Sequence, residues 1–230
     1  MSQSMPEPTV RQPERRGLFV VFEGGDGAGK SSQIPELAAW LTSLGHDVLA
    51  TREPGGTEIG ESIRPLILEH GHGDVDARTE ALLYAAARAA HVEQVILPRL
   101  RNGGSVVCDR FVDSSAAYQS AGRELSKDEV LAVNAFATQG LVPDLTVLLD
   151  ISPEEGRARR SSSRPGEDRI ESEPDGFHAR TRQAFLDLAA ASPERYEVID
   201  ARLSKREIQE RVQSRVAELL AERGEQGARP

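Results

Sequence analysis

Only one cysteine, Cys108, occurs in 230 residues, so no disulfide framework can staple this chain. It sits in the apolar run SVVCD, where a small buried side chain is its ordinary role and a reducing, cytoplasmic setting suits it. Long apolar stretches are missing too. None approaches 18 residues, and the opening MSQSMPEPTVRQPERR has proline and arginine but no hydrophobic centre, so neither a membrane span nor a signal peptide is expected. Positive charge is short: 28 Lys and Arg against 37 Asp and Glu leave a formal charge of −9. No global field would then draw the protein to nucleic-acid polymers or anionic membranes, and small-molecule partners are the expectation.

What is present is a globular composition. The apolar set makes up 38% and there are 20 glycines, and a chain of this length can bury its own core as one domain. Residues 1–16 and 223–230 offer little apolar area and read as disordered tails around a domain at 17–222. Within it, five short β-branched or apolar runs recur: LFVVF from Leu18, DVLAT, SVVCD, LTVLLD and YEVID. Consecutive apolar positions without alternation are the mark of strands covered on both faces. Ile34, Leu37, Ala38, Leu41 and Leu44 follow helical spacing and stop at Gly45, so a helix joins the first two strands. Ser126 with Glu129, Ser152 with Glu155, and Ser204 with Glu207 have capping-box spacing at three further helix starts. The Ala-rich stretch 76–102 reads as a long helix that Pro98 must bend or cut short. Strand and helix in alternation predict an α/β fold with a five-stranded parallel sheet, helices on both faces and ligands at the carboxyl ends of the strands.

Directly after the first strand, Gly24, Gly25, Asp26, Gly27, Ala28, Gly29, Lys30 and Ser31 fill the pattern G-x-x-x-x-G-K-[ST] and open the helix. Small residues let main-chain N–H groups close around a polyphosphate, the helix N-terminus adds positive charge, Lys30 reaches the terminal phosphates, and Ser31 is placed to ligate Mg²⁺. Nucleoside triphosphate binding follows. A guanine-reading N-K-x-D run is missing, and Lys127 and Lys205 stand at helix starts, which argues against a switch GTPase.

The combination FEGGDGAGKSSQ, TREPGGT, LLYAAAR, DRF, AYQ and PDLTVLLD resembles the bacterial thymidylate kinases over roughly residues 18–220. The resemblance implies the P-loop nucleoside monophosphate kinase fold, a homodimer, and transfer of phosphate from ATP to dTMP with Mg²⁺. It also implies roles. Arg52 clamps the acceptor monophosphate, Tyr84 stacks on thymine, and Arg88 bonds the base. Asp109 holds Mg²⁺ through water, and Arg110 bridges donor and acceptor phosphates. Ser115 falls where the family contacts the base, with Tyr118 beside the deoxyribose and Gln119 at the sugar or base. Asp26, a carboxylate that would repel a polyphosphate unless it faced another ligand, points at the acceptor's 3′-hydroxyl. Some members carry a catalytic arginine in the loop where this chain has Gly27. Here the charge is expected from the arginine-rich flap at about 157–170, from Arg157, Arg160 or Arg164 with no choice made among them, while Arg169 with Glu171 holds the flap's base. Two other readings stay open: another nucleotide or deoxynucleoside kinase, and a non-catalytic nucleotide-dependent switch that would leave Arg52, Tyr84 and Arg88 unused.

Overall fold

The computed structural model describes residues 16–163 and 166–226. Five strands form one parallel sheet: β1 (Phe19–Glu23), β2 (Val48–Arg52), β3 (Ser105–Asp109), β4 (Leu145–Asp150) and β5 (Tyr196–Asp200), in spatial order β2-β3-β1-β4-β5. β1 is central, with Val20 opposite Val107 on one side and Leu145 on the other. Every residue of β1 is buried, which explains the unbroken apolar run.

Successive side chains of β1 feed two cores. Val20 and Phe22 pack with Ile34, Leu37 and Leu41 of α1 (Lys30–Ser43). Phe19 and Val21 pack with Val92, Ile96 and Leu100 on the opposite face. α2 (Glu58–Leu68) and α3 (Ala77–His91) follow β2. Past α3 the backbone widens into a π-turn at Val92–Ile96 and continues as α4 (Leu97–Arg101). The expected single helix is thus broken just before Pro98, whose missing N–H cannot sustain the regular ladder. After β3 come the short α5 (Val112–Ser115), a second π-segment at Ala116–Gly122, and α6 (Lys127–Thr138). Next are α7 (Pro153–Ser163), α8 (Asp175–Ala191) and α9 (Lys205–Gln226).

All three serines cap their helices: Ser126, Ser152 and Ser204 accept from the main-chain N–H of Glu129, Glu155 and Glu207, and Glu207 returns the bond to the Ser204 N–H. Gly45 takes a positive φ of 88° and donates to Thr42, closing α1 as a helix stop. The tail boundaries need correction. Arg16 belongs to the folded body, its guanidinium 2.7 Å from Asp144, and Arg223 of α9 binds the same carboxylate. α9 therefore runs to Gln226 rather than ending near residue 222, while 1–15 and 227–230 lie outside the described residues. Among the described residues no helix is long and apolar enough to cross a membrane.

Candidate active site

The loop from Gly24 to Gly29 joins β1 to α1 at the carboxyl edge of the sheet. Gly24, Gly27 and Gly29 adopt φ values of 130°, 85° and 100°, a region that side-chain-bearing residues enter at a cost. At Gly27 space forbids a side chain as well: a Cβ would run into the carbonyl oxygen of Gly156 in α7. No side chain could stand there while α7 keeps its place. Lys30 Nζ, buried, donates to the carbonyls of Gly24 (2.9 Å) and Gly25 (3.2 Å). Burial and the nearby Arg110 pull its pKa down, while Asp109, Asp26 and Glu23 oppose them.

Facing this loop is a cavity lined by Asp26, Tyr84, Arg88, Arg110, Tyr118 and Gln119 together with residues of β2–α2 and the segment after α7. Arg88 is 1% exposed and nearly saturated. Its Nε donates to Glu53 (2.6 Å), Nη1 to Ser115 (2.8 Å) and to Asn134, and Nη2 to the Phe111 carbonyl (2.9 Å). A guanidinium has five N–H donors, so one on Nη2 remains for the cavity. Glu53, joined to Pro54 by a cis peptide, also receives His91 Nδ1 at 3.0 Å, and His91 Nε2 meets Thr51 at 2.8 Å. β2, α3 and α6 together fix one arginine.

Arg110 takes φ 69°, a strained value for a residue with a side chain. Its neighbours hold it there. Arg110 N–H donates to Phe22, and Phe111 N–H, Ser114 N–H and Ser114 Oγ all donate to the fully buried carboxylate of Glu23 (2.9, 3.1 and 2.6 Å). Arg110 then lies over the Tyr118 ring, 5.1 Å from its centroid, and pairs with Asp26 at 2.6 Å. Burial favours the neutral form of Asp26, yet Arg110, Lys30 and Arg160 hold its carboxyl well below the usual range. Burial raises Glu23 to about 7, only partly offset by Arg110. The Tyr84 phenol is likewise raised by burial, with Glu80 adding to it.

Two expected residues stand elsewhere. Arg52 is half exposed and bidentate to Glu61 (3.0 and 2.9 Å), outside the cavity lining, whereas Arg64 of α2 lines the cavity and donates to the Pro54 carbonyl at 2.6 Å. Ser115 is buried behind the wall, accepting from Arg88, and Ser114 lines the cavity instead. Past Ser115 the chain leaves α5 for the wider π-segment at Ala116–Gly122.

The flap's first half is helix rather than loop, being the last turns of α7. Arg160 reaches the loop after β1 and donates to the Asp26 carbonyl at 2.9 Å, with Glu167 and Glu171 nearby. Arg157 turns away to Asp175, and Arg164 lies outside the described residues. Arg169 pairs with Glu80 at 2.6 Å, not with Glu171. For a cation, the site offers hard oxygens. Asp109 Oδ1 is buried with no hydrogen-bond partner among the described residues, and Ser31 is exposed on the first turn of α1. No group of three or more His, Cys, Asp or Glu side chains among the described residues could hold a metal alone, so an ion here would share its ligands with water and phosphate.

A main-chain anion cradle beside a second, cation-lined cavity at one sheet edge defines a P-loop nucleotide kinase. The Thymidylate kinase family matches residues 22–212. A thymidylate kinase of Cutibacterium acnes is 53% identical over 204 residues, covering 89% of this chain and 98% of that protein. One of Clavibacter michiganensis subsp. michiganensis is 50% identical over 205 residues (89% and 97%), and one of Bifidobacterium longum strain NCC 2705 is 48% identical over 206 (88% and 98%). The chain belongs to the thymidylate kinase family, and it is a phosphotransferase of nucleotide metabolism.

Two outcomes follow from the local geometry. Gly27→Ala should lower stability by about 2 kcal/mol through strain and its clash with Gly156, and should weaken nucleotide binding; denaturant melts and titration calorimetry measure both. Because the folded-state pKa of Glu23 lies above its unfolded value, the folded protein binds the extra proton between about pH 4.5 and 7. Its contribution is therefore largest at low pH and is lost as pH rises through that window. Glu23→Gln should flatten this part of the stability profile, measured by denaturation at a series of pH values.

Proposed function

We infer that the protein transfers the γ-phosphoryl group of ATP to dTMP, giving ADP and dTDP for dTTP synthesis. The observation that carries this reading is the cavity opposite the Gly24–Lys30 loop, where a guanidinium donor of Arg88, the Tyr84 ring and the Arg110–Asp26 pair converge on space for a second nucleotide. A phosphate monoester has its second pKa near about 6, so the attacking oxygen of dTMP is already largely dianionic at neutral pH and needs no protein base. That oxygen attacks the γ-phosphorus in line, and the bond to the β-bridging oxygen breaks as ADP leaves.

Catalysis then reduces to positioning and charge. Lys30 exchanges its loop carbonyls for phosphate oxygens. Arg110 spans both nucleotides, and Asp26, held ionised, faces the acceptor sugar. Arg160 is the flap arginine we favour, because α7 already brings it to the loop, and the flap at 157–170 acts as a lid. Ser31, and Asp109 through water, would hold Mg²⁺, which neutralises charge on the β- and γ-oxygens when bound. Arg64 joins Arg110 in the acceptor-phosphate set, and Arg52, expected there as well, would have to leave Glu61 to take part. The adenine is assigned to the hollow bounded by Ser152, Val198, Asp200 and Arg202.

A coupled ADP-release assay across dTMP, dUMP, dGMP and thymidine tests the reaction. dTMP should be turned over best, and turnover of thymidine alone would overturn the reading. Lys30→Ala should cut kcat at least about 10²-fold with the fold intact, and Arg160→Ala should do the same while Arg157→Ala stays within about threefold.

We also propose a homodimer formed through α3 and α6, with the enzyme in the cytoplasm, where the buried thiol of Cys108 stays reduced. Leu82 and Phe136 are 58% and 89% exposed, beside an apolar groove of Ala81, Leu125, Val130 and Val133. A bare aromatic ring next to such a groove is self-complementary about a twofold axis. Phe136→Glu should shift the mass measured by light scattering from two chains to one.

A further inference from the structure

Glu80 is a carboxylate in the first turn of α3, with no exposed surface, and it does not line the acceptor cavity. Every lone pair it can use is taken. Oε1 accepts Gln119 Nε2 (3.1 Å) and Arg123 Nε (3.2 Å); Oε2 accepts Arg123 Nη2 (2.9 Å) and Arg169 Nη2 (2.6 Å). The two arginines are anchored in turn. Arg123 reaches Glu173 at 2.5 Å, and Arg169 donates from Nε to the Ile67 carbonyl (2.7 Å) and from its backbone to Leu68 (2.9 Å). One carboxylate thereby joins α3, the second π-segment and the root of the flap.

Its effect on Gln119 is chemical. A carboxylate can only accept, so the amide end that meets Glu80 must be the NH₂ group, and the carbonyl Oε1 is the end left to the cavity that Gln119 lines. With the remaining Nη2–H of Arg88, the wall offers one acceptor and one donor. That pair complements a ring N–H beside a carbonyl, as in thymine or uracil. It mismatches cytosine, which has a ring lone pair beside an amino group.

We propose that Glu80 is a positioning residue that sets the hydrogen-bonding sense of Gln119 and so makes the acceptor pocket select imide bases over cytosine. This rests on the dTMP kinase reading and deepens it. The decisive substitution is Glu80→Gln. Two arginine donors, Arg123 Nη2 and Arg169 Nη2, require an acceptor at the Oε2 position against one, Arg123 Nε, at Oε1, so the new NH₂ group takes the Oε1 position, gives up the Arg123 Nε bond and faces Gln119. Gln119 must then turn its own oxygen toward residue 80 and its NH₂ into the cavity.

The test measures kcat/KM and equilibrium binding for dTMP and dCMP with ATP. Glu80→Gln should raise the dCMP-to-dTMP ratio about tenfold or more, chiefly through KM and binding, with KM for ATP little changed. Equal loss for both acceptors would mean Glu80 only stabilises the fold and would overturn the proposal. Gln119→Leu, which leaves the Glu80–arginine pairs intact, should lose discrimination to a similar extent and make a further Glu80→Gln change silent in that ratio. Retained discrimination in Gln119→Leu would overturn the proposal even if Glu80→Gln failed to fold. Wild-type protein that phosphorylated no dTMP would instead bring down the functional reading and this one with it; wild-type turnover with an unmoved ratio would bring down this one alone.

Discussion

Buried positive charge is the constraint from which the rest of the structure follows. A site that must receive two phosphorylated nucleotides needs cations out of water, and Lys30, Arg88 and Arg110 are all brought to the carboxyl edge of the sheet. An unpaired buried charge is costly, so each is matched: Arg88 by Glu53, Arg110 by Asp26, Lys30 by main-chain carbonyls. These partners differ in permanence. Glu53 is locked by His91 and Thr51, which makes Arg88 a fixed part of the wall. Lys30 leans on loop carbonyls, which phosphate oxygens can replace without leaving any carboxylate bare. The pairing thus separates groups that hold shape from groups that can be handed to a ligand.

The same logic accounts for a buried carboxylate the reaction does not use directly. Glu23 ends β1 and could not be solvated there, yet its two oxygens cap Phe111, Ser114 and the Ser114 hydroxyl. Those bonds hold the chain through the left-handed turn at Arg110, which in turn aims its guanidinium at Asp26. Strain at one residue is held by three hydrogen bonds from Phe111 and Ser114, and the result is a rigid cation at the carboxyl edge of the sheet.

Much of this was legible in the sequence. The apolar runs located all five strands within a residue or so, and the capping boxes located three helix starts, because both signals are local. The loop chemistry was legible for the same reason. α2 and α8 carried weaker signals; Thr57 does cap α2, but α8 starts behind Pro174 with no side-chain cap at all. The π-segment at Ala116–Gly122 was not legible, because nothing in residues 112–122 announces a change of pitch. Arg64, inside α2, carried no sequence signal, because only tertiary packing brings it to the cavity. Glu80 and Glu53 carry no local signal that sets them apart. Their importance comes from partners dozens of residues away.

Gly27 and Gly156 connect the flap to the loop more tightly than charge alone would. α7 packs its Gly156 carbonyl where a Cβ at Gly27 would stand, and one turn later Arg160 binds the carbonyl of Asp26. A helix that close cannot tilt without moving the peptide next to the residue that pairs with Arg110.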